Sequence, residues 1–459
     1  MWCFTVFNGL AMDIKNYLLS KKPRRSDRLC YKEKILQGCT KKLETLHTYP
    51  LGYFDLIPLE LRFNIFQYLT IEDLSMLTIS SKAMRNLIEG YRVTRFSGPH
   101  SISYKDIHVF LSSDQQTEMM SKYHKLGLLM KRSTCLYATK DRLKIINEFL
   151  TRVACCNTDM CKDPSRCLAL MCFGKFFHTV IAGWDDSECQ RAFDAVCQHM
   201  FMPKFIKTVV ASKPGSHGQL ESRVRQFFRR IFLDPCTTVS DKAFWISRIL
   251  KPWPIVFQAR LLYILYSGHF TGGEIQWHEM SELTPVDNEH STVFFSSISS
   301  ILQILHLHST EWSSDEIICI IDEMTSTPED WLVENIAGLL LACGECIATK
   351  MLASKAINGR YVELASIITS LCLVCVKHNY NLTQVMTMLD CIISVIENPR
   401  DKLVLLNRIL DTFKELVLDT HEFTDSDDAN DNEFFYHVSA LTEFTKKLAQ
   451  LAYKHVIPH

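Results

Sequence analysis

Nowhere does the 459-residue sequence sustain a window of about 18 uncharged apolar residues, the length a membrane-spanning helix needs. That predicts a soluble chain with no membrane partner. The nearest approach is the N-terminal run MWCFTVFNGLAMDIKNYLLS, but no basic residue precedes it, and Asp13, Lys15 and Asn16 interrupt it. It reads as a leader or a weak amphipathic helix, not as a signal peptide. Net charge is lacking too: 50 Lys and Arg against 51 Asp and Glu leave −1, and the bulk charge favours no class of partner. No P-loop, no Gly-x-Gly-x-x-Gly after a strand, no His-Glu-x-x-His and no Gly-x-Ser-x-Gly is present. The chemistries those motifs serve have no footing, and no cofactor is expected.

Alternating apolar runs are few, whereas apolar residues at spacings of three and four recur almost throughout, so the expected fold class is all-α. Roughly a dozen helices of about 10 to 20 residues joined by short turns suggest stacked antiparallel pairs, an α-solenoid-like array, with an irregular helical domain as the rival because no repeat of fixed period is visible. CLALMCFGKFFHTVIAG and DDSECQRAFDAVCQHMF, parted by Gly183 and Trp184, read as one such pair. Ser240-Asp241 and Thr327-Pro328-Glu329-Asp330 read as helix starts.

Charge is uneven along the chain. Lys15 to Lys42 holds ten basic residues against Asp27 and Glu33, a local balance of +8. Its core, KKPRRSDR, suits a nuclear-import signal or an arm on nucleic-acid phosphates, although a solvated flexible leader is the preferred reading because short basic runs are common. The 18 cysteines without a secretory signal argue for a reducing compartment, hence cytoplasm, nucleus or both.

The most regular stretch, LIPLELRFNIFQYLTIEDLSMLTISSKAMRNLI from Leu56 to Ile88, has one Pro, no His and no Cys. Pro58 suits the first turn of a helix to about Tyr68 with Leu61, Ile65, Phe66 and Leu69 as its apolar stripe. Thr70 to Asp73 approximates a capping box for a second helix with Leu74 and Leu77, and Ser80 or Ser81 caps a third with Met84, Leu87 and Ile88 inward. Three helices in about 35 residues make an undersized core, so the module should lean on something else.

This stretch resembles the F-box. Ile57-Pro58-Leu59-Glu60-Leu61, Ile65-Phe66-Gln67-Tyr68-Leu69, Asp73-Leu74 and Ser81-Lys82 match the family pattern in type and spacing, with Ile57 for the usual Leu and Met84 where many members carry Trp. HKLGLLMKRST, AGWDDSEC, AFWISRILKPWP, QARLLYILY and ASKAINGR are similar to peptides of one vertebrate family member, over most of the chain after about residue 50. The resemblance implies a non-catalytic receptor subunit of an SCF-type ubiquitin ligase. It would dock on the adaptor Skp1, and through it on a cullin-RING scaffold, while a protein substrate is captured elsewhere on the chain. It implies that Ile57, Pro58, Leu61, Ile65, Phe66, Leu69, Leu74 and Leu77 divide between the adaptor interface and internal packing. A scaffold that binds the adaptor without turning over a target, held to chromatin or nucleic acid by the basic arm, is the alternative. The expected organisation is a basic leader over 1–50, an F-box over 51–92, a helical substrate-recruiting domain over 120–420, an acidic loop over 421–433 and a C-terminal helix over 434–457.

Other constellations have plainer readings. Cys156, Cys161, Cys167 and Cys172 are the best quartet for a structural zinc, but paired Cys-x-x-Cys knuckles are missing, and buried or loop thiols are preferred. Cys343 with Cys346, and Cys372 with Cys375, read as core positions inside long helices, and His306 and His308 as cations at a helix end. No thiol lies beside a His in a recognisable context, which leaves a Cys-based transferase without support. Trp253, between two prolines, is a candidate target anchor; filling a gap between helices is the commoner role of such a Trp.

Overall fold

The structure, a computed structural model, describes residues 49–94, 112–153, 168–267, 275–283, 289–423 and 428–456. Among these residues the chain is helical and contains no strand, as the 3.6-residue periodicity predicts. It divides into two compact units, Met1–Ser101 and Ile102–His459. The basic leader up to residue 48 lies outside the described residues.

In the first unit a 3-10 turn, Gly52–Leu56, leads into α1 (Leu59–Gln67), α2 (Ile71–Ser80) and α3 (Lys82–Thr94). The second unit begins with α4 (Ser113–Ser133), α5 (Thr139–Val153), α6 (Leu168–Ile181), α7 (Asp186–His199), α8 (Met202–Ala211) and α9 (Gly218–Phe228). A π-helical segment, Arg229–Leu233, separates these from α10 (Val239–Leu250), α11 (Ile255–Tyr266) and the short α12 (Glu279–Glu282). The array continues through α13 (Glu289–His308), α14 (Ser314–Thr325), α15 (Val333–Cys343), α16 (Glu345–Ile357), α17 (Tyr361–Lys377), α18 (Thr383–Val395), α19 (Pro399–Phe423) and α20 (Asp428–Val456).

From α13 on, packing in the second unit runs mainly from each helix to the one two places ahead. α13, α15, α17 and α19 stack in one layer, α14, α16 and α18 in another, and α20 closes the stack against α17 and α19. Each helix is thus sandwiched, which is how a solenoid extends a core without widening it. Earlier in the unit, Phe177, Phe193 and Phe232 pack around Trp245, with the Phe232 and Trp245 rings 5.2 Å apart.

The same rule corrects the expected hairpin. α6 and α7 follow one another through the turn at Gly183, but α6 packs mainly on α4 and the π segment, and α7 on α5. Thr139 Oγ1 donates to Glu188 Oε1 at 2.7 Å across the α5–α7 contact. The cause lies in α6, which is apolar nearly all round and therefore central to its neighbours.

Several helix ends also differ from expectation. Pro58 is the N-cap of α1, one residue before its first turn, and Thr238, not Ser240 or Asp241, caps α10 by accepting from Asp241 N at 3.1 Å. Thr327-Pro328 starts no helix: Trp331 N donates to Thr325 O and Leu332 N to Met280 O, so the chain bends back before α15 begins at Val333. Cys343 and Cys346 do not share a helix, because Gly344 at φ +84° breaks the run between α15 and α16. The acidic segment 421–433, expected as a loop, is helical to Phe423 and again from Asp428, where acidic residues in a first turn suit the helix dipole. Residues 424–427 lie outside the described residues.

Candidate functional site: an exposed apolar face on the three-helix module

The first unit is held by short-range polar contacts. The Asp55 carboxylate accepts from Leu51 N at 2.8 Å and from Arg62 Nη1 at 3.0 Å, tying the 3-10 turn to α1. Thr70 and Asp73 form a reciprocal capping box, with Asp73 N donating to Thr70 Oγ1 and Thr70 N to Asp73 Oδ2, each at 3.1 Å. Ser81, not Ser80, opens α3 by accepting from Met84 N at 3.1 Å. These bonds satisfy helix-terminal N–H groups that would otherwise have no partner.

Inside, the core is small and aromatic. Phe66 stacks on Phe54 at 6.2 Å and meets Tyr91 edge-on at 5.5 Å, while Phe63 lies 5.5 Å from Tyr91. Leu74 and Ile88 complete it.

Outside, the opposite stripe of α1 is just as apolar. Pro58, Leu61, Ile65 and Tyr68 recur at spacings of three and four on one face, and all are exposed, Leu61 at 51 % and Tyr68 at 90 %. Met76 and Ile79 are likewise exposed on α2, as are Tyr53 and Leu56 on the segment entering α1 and Leu59 at its first position. A module this small presents more large apolar side chains to solvent than it buries, an exposed patch that its own core does not explain.

The eight predicted residues therefore separate. Phe66 and Leu74 are buried, Pro58, Leu61 and Ile65 are exposed, and Ile57, Leu69 and Leu77 are half-buried. The grouping of Leu61, Ile65, Phe66 and Leu69 into one stripe is corrected, since Phe66 turns away from Leu61 and Ile65. Leu56, Leu59, Tyr68, Met76 and Ile79 were absent from the predicted set. The available signal was apolar residues left over once an inward stripe is assigned.

The family model described as "FBXO47, ARM repeats" matches residues 200–453, from just before α8 into α20. The chain is 36% identical over 443 residues to F-box only protein 47 of Homo sapiens, covering 94% of this chain and 95% of the human protein. The chain belongs to the F-box only protein 47 family. The family's mouse relative, also named F-box only protein 47, is 36% identical over 412 residues, covering 87% of this chain and 90% of the mouse protein. No solved structure matches. The ARM description agrees with the two-layer stack of α13 to α19.

In this F-box only protein 47 family member the remaining candidate constellations fall apart or turn inward. Cys156, Cys161 and Cys167 lie outside the described residues, and Cys172 is fully buried in α6. Among the described residues no three His, Cys, Asp or Glu side chains converge as a metal site. Cys372 and Cys375 are buried in α17, where burial raises the thiol of Cys375 to about 11. Cys346 does meet a histidine, contrary to expectation: its Sγ lies 3.5 Å from Nε2 of His306, brought there by the break at Gly344. Desolvation and the nearby Lys350 lower the His306 pKa, which disfavours the cationic form of that residue. Trp253 is half-buried in the turn between α10 and α11, its carbonyl accepting from Gln258 Nε2 at 2.7 Å. Trp277 and Trp312 are core residues whose indole N–H groups donate to Glu221 Oε2 at 2.9 Å and Ser247 Oγ at 2.8 Å.

Proposed function

We propose that the chain is the substrate-receptor subunit of an SCF-type ubiquitin ligase in cytoplasm or nucleus, docking on Skp1 through the first unit and holding a target protein on the helical array. The observation that carries this is the exposed apolar stripe Pro58, Leu61, Ile65 and Tyr68, set on a module whose own core is already made by Phe63, Phe66, Leu74, Ile88 and Tyr91. Packing does not require that stripe; a partner interface does. The family name of the relatives supports the same reading.

The role needs no acid, base or nucleophile from this chain. Tethering a target lysine near a ubiquitin-charged enzyme raises its effective concentration, and catalysis follows from proximity. The test is co-purification of the full chain with Skp1 and a cullin. A Leu61→Glu, Ile65→Glu double variant should fold with a wild-type melting temperature and lose about tenfold or more in adaptor affinity, because two charges are placed in an apolar interface. Adaptor capture equal to wild type would end the proposal. Adaptor and cullin capture without any ubiquitination of a bound target would instead favour the scaffold role.

A further inference from the structure

An open cavity of about 420 Å³ lies in the second unit between the turn joining α16 to α17 and the face of α19. Its walls are Gly359 to Glu363 on one side and Val404 with Arg408 on the other. The size is that of a pocket able to hold a few side chains of a ligand.

One wall is rigid for identifiable reasons. α16 ends in a Schellman turn: Gly359, at φ +69°, donates its N–H to Ala356 O at 3.0 Å, and Arg360 donates its N–H to Lys355 O at 3.0 Å. Beneath it, the buried Lys355 ammonium donates to Asp322 Oδ1 at 2.7 Å and Glu363 Oε1 at 2.5 Å, and Arg360 grips the same two carboxylates at 3.0 and 2.7 Å. Both anions near the cavity are thereby matched by cations.

The opposite wall is not matched. Val404 and Arg408 stand four residues apart on one face of α19, and the exposed Arg408 guanidinium has no carboxylate within ion-pair distance among the described residues. Val362, across the cavity, is 62 % exposed. The cavity thus offers two aliphatic side chains and one surplus positive charge on a preformed frame, which lowers the ordering cost of a bound segment.

We infer that this cavity docks a short segment of a partner protein in which an acidic residue lies beside an aliphatic one, the carboxylate pairing with Arg408 and the aliphatic side chain covering Val362 and Val404. Charge complementarity fixes the sign of the occupant. The chain's own leader, with its +8 balance over Lys15 to Lys42, has the wrong sign to fill it. The inference deepens the receptor reading and rests on it for the fate of the captured segment, while its test reads binding alone and can fail with adaptor docking intact.

The experiment is fluorescence anisotropy on the full chain with two labelled decapeptides, one alternating Glu with Leu and one alternating Lys with Leu. The acidic peptide should bind about tenfold or more tightly than the basic one, with the difference shrinking as salt rises. Arg408→Glu, at an exposed position, should leave the melting temperature unchanged and reverse the preference. Val404→Asp should weaken the acidic peptide about tenfold, while Arg400→Glu at the start of the same helix should change it less than about twofold. Equal affinity for the two peptides, no binding of the acidic one, or an unchanged preference in Arg408→Glu would each overturn the assignment.

Discussion

Leu61 and Phe66 lie five residues apart on α1 and face opposite ways, Leu61 51 % exposed and Phe66 1 % exposed against Phe54 and Tyr91. Truncating each should therefore affect different properties. Phe66→Ala removes the centre of a small aromatic core and should cost about 3–5 kcal/mol, enough to unfold the module. Leu61→Ala should change stability by about 0.5 kcal/mol or less, yet weaken adaptor binding. Thermal melts of the two variants beside adaptor titrations check both halves; a folded Phe66→Ala module would contradict the inward assignment.

That opposition marks the limit of what the sequence shows. Capping at Thr70–Asp73 and Ser81 is legible because it depends on neighbours three residues away. The facing of α1 is not, because its apolar residues fall in two groups, Leu59 with Phe63 and Phe66, and Leu61 with Ile65, and periodicity alone does not say which group turns inward. The break at Gly344 is hidden for a similar reason: Leu-Ala-Cys-Gly-Glu-Cys-Ile reads as continuous helix, and only the positive φ reveals two elements. Many short helices joined by short turns do point to a stacked array, but which helices stack is a tertiary property, and without a fixed-period repeat the sequence does not show that alternate ones pair. The cavity wall at Arg360 joins residues from α14, α16 and α17, a juxtaposition no motif encodes.

Lys355 should be the most sensitive charge in the second unit. Its side chain is 4 % exposed and bridges Asp322 and Glu363, both of which retain partial contact with water and with Arg360. Lys355→Met keeps the volume but leaves two carboxylates crowded together, and should cost about 2–3 kcal/mol, below the range for fully buried pairs because solvent screens part of the repulsion. Adding Asp322→Asn and Glu363→Gln should recover most of the loss in urea unfolding. A Lys355→Met variant as stable as wild type would show that the bridge is dispensable.

His178 supplies a pH dependence with a definite sign. Its Nε2–H donates to Ile231 O at 3.0 Å, and its ring packs beside Phe177 and Trp245. Desolvation lowers its pKa to about 4 from the ordinary 6.5, with Asp241 opposing and Lys175 reinforcing the shift. The folded state therefore binds fewer protons than the unfolded state between those values. The contribution to stability is whole above about pH 6.5 and is lost as the pH falls toward 4, by up to about 3 kcal/mol. Urea midpoints measured from pH 7 to pH 4 should fall more steeply for wild type than for His178→Gln, and parallel curves would remove His178 as the cause.

Gly174 decides how closely α6 can approach the π segment. A Cβ there would overlap the carbonyl oxygen of Arg230 and come within 3.0 Å of Ile231 Cα, both of them backbone atoms that cannot swing aside. In an exposed helix interior Gly→Ala ordinarily stabilises by roughly 0.5–1 kcal/mol, through reduced freedom of the unfolded chain. Here the sign should invert. Gly174→Ala should cost about 1–3 kcal/mol as α6 is pushed from Arg229–Leu233, and should disturb the rings around Trp245 that the π segment supports. Calorimetry reads the stability and near-ultraviolet circular dichroism the aromatic packing. A stabilised variant with an unchanged aromatic spectrum would mean that the two backbones have room to separate without loss.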